Sequence, residues 1–329
     1  MKDSCKIQTG DWVGPAWGGP EWTPFAQGIA DHYAVQVPWF CNELVTLAVS
    51  PTRQTTLTSP QQYDVLIFGA HVQSATASRL ANVYLNITHV ESGVPWAVPN
   101  IMPFFPITAL AGVNVNAMPN LTLPEAFFLP AHTQLKLDWT LLGLPTFGTT
   151  TTVRLTLLGV QLTLPKDGKA PETVTMPNGQ RVRPDGRLPL FMTIGIGQRI
   201  GSTFFFNNNQ QRIQFLPPLK RDVEIHDLNS NVISAAFSIS PAASSLIVKI
   251  SSMGLEKQWT PEFSPLTAVF GGPGGGGAGA TQVFPALPYC KPFLLPKGHR
   301  LQTNVQNTSD TQTYDQALLT FRGVQLGEY

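Results

Sequence analysis

The sequence predicts an all-β protein: two tandem, duplicated jelly-roll-like β-sandwich domains with an N-terminal arm. Three observations predict it. Ordered blocks of the first half recur in the second. The recurring blocks carry a hydrophobic period of two. Pro (29) and Gly (28) break the 329 residues into segments too short for long helices.

The duplication sets the architecture, so it is read first. VPWF (37–40) matches LPLF (188–191), and YDVLIFGA from Tyr63 matches RDVEIHDL from Arg221. FFPITALAG (104–112) matches FSPLTAVFG (263–271), and FFLPAHTQLKL (127–137) matches FLLPKGHRLQT (293–303). Each half then closes on a strand ending in GVQL, at Leu162 and at Leu326. Five blocks occur in the same order, and the slow drift in their spacing is what insertions in loops produce.

Within the blocks the pattern is that of strands. Leu135, Leu137, Trp139 and Leu141 alternate with Gln134, Lys136, Asp138 and Thr140, the signature of a half-buried strand. The second copy places Leu301, Thr303 and Val305 inward. Val153, Leu155 and Leu157 of the first closing strand match Ala317, Leu319 and Phe321 of the second. Gly159 and Gly323 stand at the same point of both, which predicts a bulge or a close backbone approach. Short strands with turn signals between them predict a β-sandwich, a jelly roll in preference to an immunoglobulin-like fold, whose Cys…Trp…Cys pattern is absent.

The chain divides into an N-terminal arm (1–36), a first sandwich (37–164), a linker (165–187) and a second sandwich (188–329). The arm carries Trp12, Trp17 and Trp22, and Thr23-Pro24 predicts a capped helix reaching about His32. In the linker, Asn178-Gly179 predicts a type I′ hairpin flanked by Val174, Met176 and Val182. One strand face differs between copies. Asp222, Glu224 and His226 predict a wet face in the second, whereas Asp64, Leu66 and Phe68 in the first predict a face covered by the other domain or by another subunit. Trp12, Trp17, Trp22, Leu66 and Phe68 are therefore the candidate interface residues.

Composition narrows the function. Charged residues are 12% and the formal net charge is +1, so no bulk field draws the chain to nucleic acid or an acidic membrane. A surface so poor in charge is weakly protected against self-association, which points to burial against partners; the alternative is a weakly charged monomer. No apolar run is long enough for a membrane span, and the N-terminus lacks the apolar stretch of a signal peptide. Cys5, Cys41 and Cys290 have no CxxC spacing and read as small buried hydrophobes. Asn86, Asn120 and Asn307 head sequons that read as chance matches.

No catalytic pattern stands out. Asp222, Glu224 and His226 share a strand face but have no counterpart in the first copy, so a solvated face explains them better than a metal or acid–base site. The glycine run 271–279 lacks the Lys-Ser/Thr of a phosphate loop, and the six histidines show no ligand spacing. The expectation is a non-enzymatic protein without cofactor or metal.

The repeated FLP…L…L strand entry and the closing GVQL strand, each ending a jelly-roll-like unit, resemble those of virion structural proteins of bacterial viruses. The resemblance spans both units, roughly 37–329. It implies a head decoration or cement protein, a capsid subunit, or a collar or fibre component, made in the host cytoplasm and resident in the virion. It further implies homo-oligomers, trimers favoured, and contacts with other virion proteins. A carbohydrate- or receptor-binding sandwich is the rival reading.

Overall fold

The computed structural model describes residues 23–48, 53–74, 83–98, 101–110, 112–113, 121–141, 150–200, 203–234, 245–254, 257–260, 262–270, 273–274, 282–283, 287–311 and 313–327. Trp12, Trp17, Trp22, Cys5 and most of the 271–279 glycine run lie outside them.

The first sandwich uses β1 (Tyr33–Ala48), β2 (Gln54–Leu57), β3 (Asp64–Ser74), β4 (Val83–His89), β5 (Phe105–Pro106), β6 (Leu121–Leu129), β7 (Leu135–Leu141) and β8 (Thr150–Pro165). One sheet runs β1–β8–β3–β6, and the other runs β2–β7–β4–β5. A hairpin of β9 (Val174–Thr175) and β10 (Arg181–Val182) follows. The second sandwich uses β11 (Arg187–Gly195), β12 (Gln211–Phe215), β13 (Val223–Ser234), β14 (Leu246–Met253), β15 (Ser264–Pro265), β16 (Leu287–Leu295), β17 (Arg300–Asn307) and β18 (Tyr314–Leu326). Its sheets run β11–β18–β13–β16 and β12–β17–β14–β15. Both copies thus pair first strand with last, last with third and third with sixth, and second with seventh, seventh with fourth and fourth with fifth. That is jelly-roll wiring, found twice.

The expected alternation is what fills the cores. Leu135, Leu137 and Trp139 of β7 meet Val153, Leu155 and Leu157 of β8 in one cluster. Leu301 and Val305 of β17 meet Ala317, Leu319 and Phe321 of β18 in the other. The paired glycines also serve as expected. β3 slips register between Ile67 and Gly69, and β13 slips between Ile225 and Asp227. Gly159 lies opposite Ile67 and Gly323 opposite Ile225. A Cβ on Gly159 would sit 2.6 Å from the Leu66 carbonyl oxygen, and one on Gly323 would collide with the Glu224 carbonyl. Each glycine therefore lets the bulged strand approach its neighbour.

The turns entering β7 and β17 are duplicated to the hydrogen bond. The Ala131 amide donates to Asp64 at 2.7 Å, and the Lys297 amide donates to Asp222 at 2.6 Å. His132 (φ 64°) and Gly298 (φ 81°) hold the same left-handed position, so His132 serves the turn.

Helix α1 (Pro24–Ala30) starts as expected, with the Thr23 hydroxyl accepting from the Ala26 amide at 3.2 Å. The linker hairpin also forms, but its turn differs from the expected type. The Gly179 amide donates to the Met176 carbonyl, which puts Pro177 and Asn178 at the centre, and Gly179 follows at φ 82°. Pro177 cannot adopt the positive φ of a type I′ corner, so the hairpin uses a three-residue loop closed by a left-handed glycine. Nor is the ribbon merely exposed. Val174 and Val182 are buried against α1, and Gly28 permits the contact, because a Cβ there would collide with Val174.

Candidate functional site: the seam between the sandwiches

The outer face of the β11–β18–β13 sheet was expected to be wet. It is polar but largely buried, because the first sandwich packs on it through β5, β6 and α2 (Ile107–Leu110). Thr193, Thr320, Asn229 and Arg322 on this face are almost wholly inaccessible.

Phe191 anchors the seam. It leaves its own sheet and enters the core of the first sandwich, fully buried. Its ring stacks on Phe105 at 4.3 Å and lies 6.4 Å from Trp96, which meets Phe127 edge-on at 5.3 Å. Such aromatic pairs add to simple area burial. The Phe191 amide donates to the Trp96 carbonyl at 2.8 Å, so residues 95–98 cover the open edge of β11.

Arg187, the first residue of β11, adds the charge. Its Nε donates to Glu125 of β6 at 2.6 Å, and its Nη2 donates to Glu224 of β13. Burial alone would lower its pKa; the two carboxylates more than offset that and keep the guanidinium charged. His226 and Arg187 together hold the Glu224 carboxyl down at about 2 against burial, which would raise it. Arg187 makes the hydrogen bond, whereas His226 Nε2 stays at 3.7 Å. A second pair, Arg322 to Asp227 at 3.3 Å, lies deeper. Burial there pushes the Asp227 carboxyl up and the Arg322 guanidinium down.

Two of the expected interface residues, Leu66 and Phe68, lie among the described ones. Leu66 is fully buried, packed with Phe25, Ile29, Phe128 and Val160, and Phe68 is half-buried against the same cluster. Within the chain they are covered by α1 and the β9–β10 hairpin. The reason is local: Thr23-Pro24 starts a helix whose apolar side meets an apolar sheet face at once. Glu224 and His226 stand close together, but Asp222 does not join them. Asp222 holds its turn and Glu224 holds Arg187. Among the described residues no group of three His, Cys, Asp or Glu side chains is placed to hold a metal. Cys41 is a free thiol whose pKa is pushed up to about 11 by burial and by Glu43. Asn307 of the third sequon is fully buried.

Beside the seam lies a cleft of about 370 Å³, lined mainly by Val94, Pro95, Val98, Pro217, Leu219 and Val223, with Lys220 and Arg221 at its lining. Sequence reasoning missed Phe191, Arg187 and Glu125. The VPWF/LPLF match marked the Phe191 block, but the match itself is blind to which copy is capped.

Two solved virus structures align with the chain. The crystal structure of the STIV MCP does so with TM-score 0.40 and 11% identity, over 88% of this chain and 97% of that one. The atomic structure of Sulfolobus Turreted Icosahedral Virus does so with TM-score 0.44 and 9% identity, over 87% and 91%. The CUB1-EGF-CUB2 domains of rat MASP-1 align at TM-score 0.21 and 8% identity, over 85% and 96%. No protein-family model and no curated protein matches. At these scores the jelly-roll assignment rests on the strand order alone.

Proposed function

We propose that the chain is a capsid-type structural protein of a virion, of the kind found in bacterial viruses, which assembles with further copies of itself. Trimers are the favoured form, with other virion proteins as neighbours. The observation that carries the reading is the seam. Two jelly rolls of one chain are held side by side by a buried aromatic anchor and a buried ion pair. This makes a rigid two-unit block that presents nearly the same shape twice, as a building part of a closed shell requires.

The chemistry supports it. The conspicuous carboxylates are used for holding the block together, and a surface with 12% charged residues favours burial against partners. Large exposed apolar side chains, among them Phe40, Leu44 and Phe215, add to this.

The test is the solution mass of the full chain by light scattering across concentration, with negative-stain imaging of the same sample. Trimers or larger closed assemblies support the reading. A monomer at every concentration that binds selected glycans would overturn it in favour of a carbohydrate-binding module.

A further inference from the structure

The duplication supplies an internal control for the cleft beside the seam. The turn before β13 reads Pro217-Pro218-Leu219-Lys220-Arg221-Asp222, and the same turn before β3 reads Ser59-Pro60-Gln61-Gln62-Tyr63-Asp64. The two are anchored alike. The Gly298 amide donates to the Leu219 carbonyl at 3.0 Å, as the His132 amide donates to the Gln61 carbonyl at 2.7 Å. Their side chains differ. In the first sandwich Trp39 Nε1 donates to Gln61 at 2.9 Å, which ties the turn to β1. In the second, Leu190 and Leu219 hold those two positions and cannot make that bond; both line the cleft instead. Two cations, Lys220 and Arg221, stand where the first copy has Gln62 and Tyr63.

The cleft, about 370 Å³, has the size of a small-molecule site. Both sandwiches build it, residues 93–98 on one side and 217–223 on the other. Its second wall is fixed before anything binds. Pro217 and Pro218 lock two φ angles, the Leu216 amide donates to the Leu301 carbonyl at 2.8 Å, and the Leu326 amide donates to the Asp222 carbonyl at 2.9 Å. The lining is apolar apart from Gln325 and the two cations, and none of the lining residues is acidic. The neighbouring Asp222 carboxylate is taken by the Lys297 amide. Among the described residues neither Lys220 nor Arg221 has an ion-pair partner.

We propose that this cleft binds a single-chain amphiphile with an anionic head, of the medium-chain carboxylate class. Its aliphatic chain lies against Val94, Val98 and Leu219, and its head meets Lys220 and Arg221. Charge complementarity selects the class. A neutral apolar molecule would leave both cations without a partner, and a compact anion would leave the apolar floor uncovered. The site lies within one chain, so it does not depend on assembly. A ligand held there touches both sandwiches and stabilises the folded block by mass action.

Equilibrium dialysis of the full-length chain against labelled octanoate tests it. One site per chain is expected, with affinity rising about fourfold per methylene from hexanoate upward until the cleft is filled. Lys220 is exposed and Arg221 half-buried, so K220Q/R221Q should keep the fold, which thermal unfolding checks. That variant should bind octanoate at least about tenfold more weakly and octan-1-ol as the unsubstituted chain does. V94D, which sets a like charge in the apolar lining, should weaken octanoate as much. Equal octanoate affinity in K220Q/R221Q, or equal affinity of the unsubstituted chain for octanoate and octan-1-ol, would overturn the proposal. So would no retention at millimolar octanoate, or several weak sites indifferent to both variants, which is surfactant adsorption only. Each of these failures leaves the assembly reading standing.

Discussion

The guanidinium of Arg187, at the start of the second sandwich, lies 2.6 Å from the carboxylate of Glu125 in the first, and both side chains are more than nine-tenths buried. Removing one partner of such a pair strands the other in a low dielectric. R187M should therefore cost about 3–5 kcal/mol, measured as a drop in denaturant midpoint, and R187M/E125L should recover part of it.

Phe191 and Phe40 offer a matched comparison. F191A empties a filled site and should cost about 3–5 kcal/mol. F40A, at dilutions where chains are separate, should change stability by no more than about 0.5 kcal/mol. Thermal unfolding at low concentration checks the difference; equal losses would show that the two phenylalanines are not asymmetric in solution.

The duplicated glycines should be intolerant in both copies. G159A and G323A push a Cβ against the Leu66 and Glu224 carbonyls, and overpacking of this kind costs about 1–3 kcal/mol. Urea denaturation of each variant measures it, with G323A at the upper end because its Cβ would meet the neighbouring backbone more closely.

Asp64 and Asp222 hold the same turn but differ in reach. Asp64 also accepts from the Tyr33 hydroxyl at 2.6 Å, tying the start of β1 to β3. D64A should cost about 2–3 kcal/mol, and D222A about 1 kcal/mol, in proportion to the bonds lost. Amide exchange should report faster opening near Tyr33 in D64A alone.

Acid should act through Glu224. Its folded-state pKa, about 2, lies below the ordinary carboxylate value of 4.5. The stability it contributes is therefore complete above about pH 4.5 and is lost as pH falls towards 2. Asp227, raised by burial, acts in the opposite sense, gaining stability as it protonates. E224Q should flatten the acid limb of a stability–pH profile; an unchanged limb would place the acid sensitivity elsewhere.

The wiring of each sandwich was legible because it lives in local rules. Period-two alternation in β7, β8, β17 and β18, the Gly159/Gly323 pair and the Thr23-Pro24 cap are all read from neighbours in the chain. The seam was not legible. Glu224 and His226 alternate like a wet face, and nothing local says that α2 and β6 will cover them. Leu66 and Phe68 announced a covered face, but α1 and the hairpin cover it from within the chain. The hairpin turn was misread because Asn178-Gly179 outweighed Pro177, whose fixed φ decides the corner. Burial by distant segments is a property of packing, and period alone does not encode it.

The seam through Phe191 and Arg187 makes the two sandwiches one block. Equilibrium unfolding of the full-length chain tests this most directly. A single cooperative transition that separates into two in F191A/R187M is the expected result. Two independent transitions in the unsubstituted chain would contradict it.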